Sequence, residues 1–490
     1  MGIQVLQELQ IGWRGALLAF AISTVSPALA QPLQQQVEAR LAQAGPGPRF
    51  GLVVTAEDGR ELVAINPDQR FIPASNTKIF TTAAAFDALG DVEAPDSTGG
   101  ASVRLEGGQV PDVVLRGHGD ARLSAAADCV SNCLSALADA VAARTKAVRH
   151  VVGDDSLYPD QRWGEGVSWE DLATRYGTAT SALTLDDNEL SLRVAADKPG
   201  APPRIEHPGY FKIDNRALTM PAGETTLRVE RLPGSDVVRL HGSMAAAAEP
   251  ATLRLGLDDP AHYAAWRLKS LLEARGVRVS GSVAARHRPY RPADDPAVRG
   301  AAPPPRPPEP DALARLTPPP LRGDLGVINK VSQNLHAELM LRRVGLRAGT
   351  GSIEDGIAGV RSMLERAGVS RASVDLFDGS GMSVYNRVAP RGLTTLLRWI
   401  SAQPWGGAFR ETLPIGGVDG TLAKRFVGGP LQGRVFAKTG TLNGTNALSG
   451  YLLAKSGRTL TFSAFANDVP SGVSGTKIID SALELIAEAN

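Results

Sequence analysis

Hydrophobic and polar residues change period several times along the chain. Residues 49–65 set two apolar, β-branched runs, Phe50-Gly51-Leu52-Val53-Val54-Thr55 and Glu61-Leu62-Val63-Ala64-Ile65, on either side of Asp58-Gly59, the pattern of a hairpin. Residues 79–89 are apolar almost throughout and predict a buried helix. A stretch rich in Gly, Asp and Ser, 91–108, then marks a boundary. Beyond it, 134–143 reads as a helix and 148–152 as a strand ending in Gly153-Asp154-Asp155. A similar unit follows at 263–283: an amphipathic helix over 263–274, Gly276 as its C-cap, and a strand over 277–283. Between the two units, residues 190–257 alternate with few helical signals, so a β-rich module is set inside an α/β one.

The prolines of Pro303-Pro304-Pro305-Arg306-Pro307-Pro308 and Pro318-Pro319-Pro320 favour an extended polyproline linker over 286–321. Helical periodicity returns at 331–343, 353–366 and 393–402. Three strands follow, at 434–440, 448–453 and 459–466, and a helix over 478–489 closes the chain.

Length changes the picture: 490 residues exceed what one core usually holds, so two or three domains are expected. A net charge of +1 argues against nucleic acid as the main partner. Arg14, the apolar run 15–22 and Ala28-Leu29-Ala30 form the pattern of a cleaved signal peptide, with Gln31 starting the mature protein; a signal anchor is the other reading. No later segment is long and apolar enough to cross a membrane. Export makes a disulfide between Cys129 and Cys133 plausible, although regular helix geometry would align them poorly; a zinc site would need His118 or His150 as well.

The chemistry gathers at Phe71-Ile72-Pro73-Ala74-Ser75-Asn76-Thr77-Lys78. Pro73 favours an extended approach, so Ser75 falls in the first turn of the helix, where the Lys78 ammonium can reach its hydroxyl. That supplies a nucleophile, a base and free N–H groups in four residues; the alternative is a serine that only caps the helix. Ser332-Gln333-Asn334 could relay a proton and offer an amide. Lys438-Thr439-Gly440-Thr441 supplies a positive charge and a hydroxyl on a strand, with Gly440 leaving room for a substrate. Ser474-Gly475-Thr476-Lys477 repeats the Ser-x-x-Lys spacing, but neither other element follows it. A Gly-x-Ser-x-Gly elbow is absent, and none of the seven histidines lies in a catalytic motif; His336 reads as a helix residue near the site.

Ser-x-x-Lys, Ser-x-Asn and Lys-Thr-Gly in this order mark penicillin-binding proteins and class A β-lactamases, though Gln333 departs from the usual aspartate. Ser75 and Ser332 are 257 positions apart, which calls for inserted domains. The chain resembles the class C penicillin-binding proteins, the D-alanyl-D-alanine carboxypeptidase/endopeptidases of the penicillin-binding protein 4 type. The resemblance extends to Gly119-Asp120-Ala121-Arg122-Leu123-Ser124, Trp169-Glu170-Asp171-Leu172, Tyr176-Gly177, Ser181-Ala182-Leu183 and Asp378-Gly379-Ser380-Gly381-Met382-Ser383 with Asn386 and Pro390.

It implies an α/β multidomain fold: a serine β-lactamase/transpeptidase-like α/β domain carrying an inserted α/β domain, itself interrupted by a β-rich third domain. The expected boundaries are 1–30 for the signal peptide, 31–95 and 303–490 for the transpeptidase-like domain, 96–190 and 258–302 for the second domain, and 191–257 for the third. It further implies Ser75 as nucleophile, Lys78 as general base, Ser332 and Asn334 in proton relay and substrate binding, and Lys438 and Thr439 on the terminal carboxylate. The N–H groups of Ser75 and Thr441 would form the oxyanion hole, and Asp154 aligns with an aspartate that contacts a substrate amine. The implied partners are peptidoglycan stem peptides and β-lactams, in the periplasm, with no cofactor. A β-lactamase or esterase on the same scaffold, and a sensor without turnover, are the competing readings. In relatives an arginine follows the second serine of the 378–386 stretch; here that residue is Val384, with Arg387 three positions on.

Overall fold

The structure, a computed structural model, describes residues 32–300 and 302–490; the expected export segment, 1–30, lies outside them. The two ends of the described chain meet in one antiparallel sheet, in the order Glu61–Ile65, Arg49–Thr55, Thr459–Asn467, Thr445–Leu453 and Val435–Leu442. Phe50, Leu52 and Val54, two apart, point to one face and pack beneath the helices Leu33–Leu41 and Gly475–Ala489. Gly51 points to the other face. A Cβ there would stand 2.4 Å from the Phe71 ring, so glycine lets Phe71 lie on the sheet, stacked on Phe465 at 5.8 Å between centroids. That contact seats the segment leading to Ser75. The helices Thr77–Ala88, Asn334–Leu346, Ile353–Arg366 and Pro390–Ser401 fill the same face.

A second sheet lies between these halves of the chain, in the order Val283–Arg288, Val151–Pro159, Asp112–Arg116, Ser102–Glu106 and Ala314–Arg315. Its first three strands are parallel and share a core with the helices Leu134–Arg144 and Pro260–Ala274. The interval 189–256 forms short strands in small sheets, and Leu190, Leu192, Val194 and Leu255 join the same core as Leu134 and Leu137.

Three sequence expectations change, and a fourth is met. The linker 286–321 is partly structured: Val283–Arg288 runs into it, Pro296–Arg299 is a short helix, and Ala314–Arg315 pairs with Val103 and Ser102. The stretches 302–313 and 316–320, where proline removes donors, adopt neither helix nor strand. The helix over 331–343 starts later, as Asn334–Leu346, and a separate helix, Leu321–Lys330, precedes it. Ser332 breaks the pattern at φ 64°, and the Gln333 side chain then caps the second helix by accepting from the Leu335 N–H. The strand over 148–152 becomes Ala147–Val148 and Val151–Pro159, so Asp154 lies within a strand rather than after one. Cys129 and Cys133 are disulfide-bonded, Cα atoms 5.8 Å apart; the helix begins only at Leu134, so helical geometry does not constrain them.

Candidate active site

Ser75 occupies the 3-10 turn Ala74–Asn76 that opens the helix Thr77–Ala88. Ala74, just before it, is held at φ 47°, a left-handed conformation costing about 1–3 kcal/mol for a residue with a Cβ. Gly381 accommodates that turn, because a Cβ on it would stand 2.0 Å from the Ala74 carbonyl oxygen. Lys78, fully buried, places Nζ 2.9 Å from Ser75 Oγ, 2.6 Å from Asn334 Oδ1 and 2.6 Å from the Ser380 carbonyl oxygen. Desolvation lowers its ammonium from 10.5 to about 7, although the Asp378 and Glu338 carboxylates pull the other way.

Lys438 is also fully buried and donates to Ser332 Oγ at 2.9 Å and to the Thr439 carbonyl at 3.0 Å. Burial, and then the charge of Lys78, hold it well below 10.5. Its strand, Val435–Leu442, is outermost in the main sheet. Asn76 Nδ2 donates to the Lys438 carbonyl at 2.9 Å, fastening the strand to the serine turn. Gly440 permits that approach: a Cβ would stand 2.7 Å from the Pro73 carbonyl oxygen and 3.2 Å from Asn76 Nδ2. The space expected there for substrate is thus taken by the serine turn itself.

Ser75, Ser332, Asn334, Thr439 and Thr441 line one cleft of about 800 Å³. The sequence reading did not assign roles to other lining residues: Glu170, Asp171, Arg175, Tyr176, Met382 and Thr421. Thr421 Oγ1, in the 3-10 turn Gly420–Leu422, accepts from Thr439 Oγ1 at 2.7 Å, a contact with no local signature. Asn334 Nδ2 donates to the Tyr176 carbonyl at 2.9 Å, a backbone role that side-chain identity cannot announce.

Asp154 does not line this cleft. It is 1% exposed, 3.3 Å from Arg104 and 3.5 Å from Arg286, and also accepts from Ser156 Oγ at 2.6 Å, so its carboxylate is already satisfied. The expected substrate contact is corrected on that ground; the acids in the cleft are Glu170 and Asp171. Ser474 caps the helix Gly475–Ala489, where its hydroxyl accepts from the Lys477 N–H. His336 stands beside the site between Asp187 and Asp324, at 2.9 and 3.2 Å.

One sheet built from both ends of the described chain, with the Ser75–Lys78 pair beside it, has a counterpart among solved structures. Penicillin-binding protein 4 of Haemophilus influenzae superposes with a TM-score of 0.76 at 24% identity, over 92% of this chain and 97% of that one. The model of the D-Ala-D-Ala carboxypeptidase 3 (S13) family matches residues 33–489. A D-alanyl-D-alanine carboxypeptidase of Actinomadura sp. (strain R39) is 34% identical over 96% of this chain and 89% of its own length. The D-alanyl-D-alanine carboxypeptidase DacB of Haemophilus influenzae is 26% identical over 87% of each. The chain therefore belongs to the D-Ala-D-Ala carboxypeptidase 3 (S13) family and is a hydrolase of the serine carboxypeptidase class. Among the described residues, no helix is long and apolar enough to cross a membrane.

Proposed function

We propose that this enzyme removes the terminal D-alanine from peptidoglycan stem peptides, and opens D-amino-acid cross-links, through an acyl-enzyme on Ser75. The observation that carries the assignment is the position of Lys78, fully buried with Nζ 2.9 Å from Ser75 Oγ. A neutral lysine has two N–H bonds and one lone pair. Asn334 Oδ1 and the Ser380 carbonyl, each at 2.6 Å, accept the two N–H bonds, which leaves the lone pair for the Ser75 proton.

In this reading Ser75 Oγ gives its proton to Lys78 and attacks the carbonyl carbon between the two D-alanines. The N–H groups of Ser75 and Thr441 receive the oxyanion. Strand register supports the second donor: the Ala437 N–H reaches outward to Pro414, and the Val435 carbonyl outward to Gly416. Odd-numbered residues of the strand therefore face its outer edge, Thr441 among them. Ser332 passes a proton to the leaving amine, Lys438 and Thr439 hold the terminal carboxylate, and water then releases the acyl group. A β-lactam enters the same path and stays attached. A basic group on the substrate would meet Glu170 and Asp171.

The same reading places the enzyme in the periplasm after cleavage behind Ala30, which N-terminal sequencing of the native protein tests, and keeps the domain boundaries given above except that the second domain extends to Arg315, whose strand pairs with Ser102 and Val103. The functional test is D-alanine release from a peptide ending in two D-alanines. Release by the wild type and none by a folded Ser75→Ala protein is expected; release by Ser75→Ala would contradict the assignment.

A further inference from the structure

Glu338 stands four residues after Asn334, on the same face of the helix Asn334–Leu346. Its Oε1 accepts from the N–H groups of Gly379 and Ser380, at 3.0 and 2.8 Å. Asp378 accepts from the N–H groups of Gly381 and Ser383, at 2.9 and 2.7 Å, and from Asn386 Nδ2 at 2.7 Å. With these N–H groups held by carboxylates, the carbonyls of the turn face the nucleophile's helix. Gly379 O accepts from Thr81 Oγ1 at 2.7 Å, and Ser380 O from Lys78 Nζ at 2.6 Å. The second oxygen of Glu338 is buried without a hydrogen-bond partner, a costly state for a group with no role.

We propose that Glu338 is a positioning residue for the base: it holds the Ser380 carbonyl on one N–H of Lys78, and its charge governs the pH at which Lys78 gives up its proton. The inference rests on the reading of Lys78 as the base of Ser75. The charged groups around the pair are few. Lys78 is faced by Asp378 and Glu338, and by Lys438 across the cleft; Glu338 is faced by Asp378 and by Arg342, one turn further along its own helix. Desolvation lowers the lysine while the two carboxylates oppose it. Burial, and then the charge of Asp378, push the Glu338 carboxyl itself up to about 7, so only its ionised fraction holds the proton on Lys78, and replacing it by an amide leaves a lysine that deprotonates at lower pH.

The experiment follows covalent labelling of the full-length protein by a fluorescent penicillin from pH 5 to pH 9, with melting temperatures read alongside. Wild-type labelling should rise along an acid limb centred near 7. Glu338→Gln keeps an oxygen for the two N–H groups but no charge. Its limb should move down by about one pH unit, with a plateau within about threefold of wild type. Glu338→Ala loses the oxygen too, and its plateau should fall roughly tenfold or more, as for a displaced catalytic group. A role in folding alone would change melting temperature without moving the limb. The inference is overturned by superimposable limbs, by a limb moved upward, by a folded Glu338→Gln protein that does not label, or by an unchanged Glu338→Ala plateau. Failure of the wild type to label on Ser75 would instead refute the Ser75–Lys78 reading, and this inference with it.

Discussion

Asn334 donates from Nδ2 to the carbonyl of Tyr176 at 2.9 Å while its Oδ1 accepts from Lys78 at 2.6 Å. A carboxamide has a donor end and an acceptor end, so the bond to Tyr176 decides which end meets the lysine. Tyr176 belongs to the turn Arg175–Gly177, within the long insertion between the serine helix and the second motif. The insertion therefore takes part in arranging the site as well as covering it.

The turn can be disturbed at Gly177, which does not itself line the cleft. A Cβ on Gly177 would stand 2.4 Å from the Asp171 carbonyl oxygen, a backbone atom that cannot swing aside. Gly177→Ala should lower the rate of penicillin acylation roughly tenfold through misplacement of Asn334, with an unchanged circular dichroism spectrum. Wild-type acylation in this variant would show that the Tyr176 carbonyl is dispensable.

His336 ties the Asn334 helix to the insertion. Burial alone would lower its pKa, but the hydrogen bond to Asp187 and the nearby Asp324 carboxylate outweigh it and raise the group from 6.5 to about 9. Because the folded value is the higher, the stabilisation is fully present below about 6.5 and is lost as pH rises through about 9. His336→Gln should therefore lower the melting temperature clearly at pH 6 and much less at pH 9.5. An equal loss at both would mean that packing, not charge, is what His336 contributes.

Val384, at the position where the family resemblance leads to the expectation of an arginine, lines the cleft and offers no donor. Arg387 does not replace that arginine: its guanidinium donates to the carbonyls of Val384 and Asn386, at 2.7 and 2.8 Å, and it does not line the cleft. The cation that does is Arg175, 4.7 Å from the centre of the Tyr176 ring. One charge-assisted hydrogen bond is worth about 1.5–3 kcal/mol. Peptides with a free carboxylate on the side chain of the third residue should be favoured over amidated ones by less than about a hundredfold. That preference should shrink in Arg175→Ala and persist in Arg387→Ala. A hundredfold preference that survives Arg175→Ala would contradict this.

The residues that meet at Ser75 were legible where local geometry brings them together. Ser75 and Lys78 are three apart in the turn and first residues of one helix, and Ser332 with Asn334, and Lys438 with Thr439, sit in short motifs. The hairpin at 49–65 and the three late strands were legible because alternation is local. What the pattern hid is non-local or carried by backbone. The start of the helix at Asn334 rather than Val331 depends on a left-handed φ at Ser332 that hydrophobic periodicity does not reveal. Asp154 looked like the end of a strand because Gly153-Asp154-Asp155 resembles a turn, yet pairing with Arg286 on one neighbouring strand and Arg116 on the other carries the strand through it. Glu338 and Asp378 meet below Lys78 only because two distant segments fold together.

The most direct test of the central claim is mass spectrometry of peptides from the mature protein after incubation with a penicillin. The expected result is one covalent adduct, on the peptide that contains Ser75, absent from a folded Ser75→Ala protein. An adduct on Ser474, or no adduct in the wild type, would contradict it.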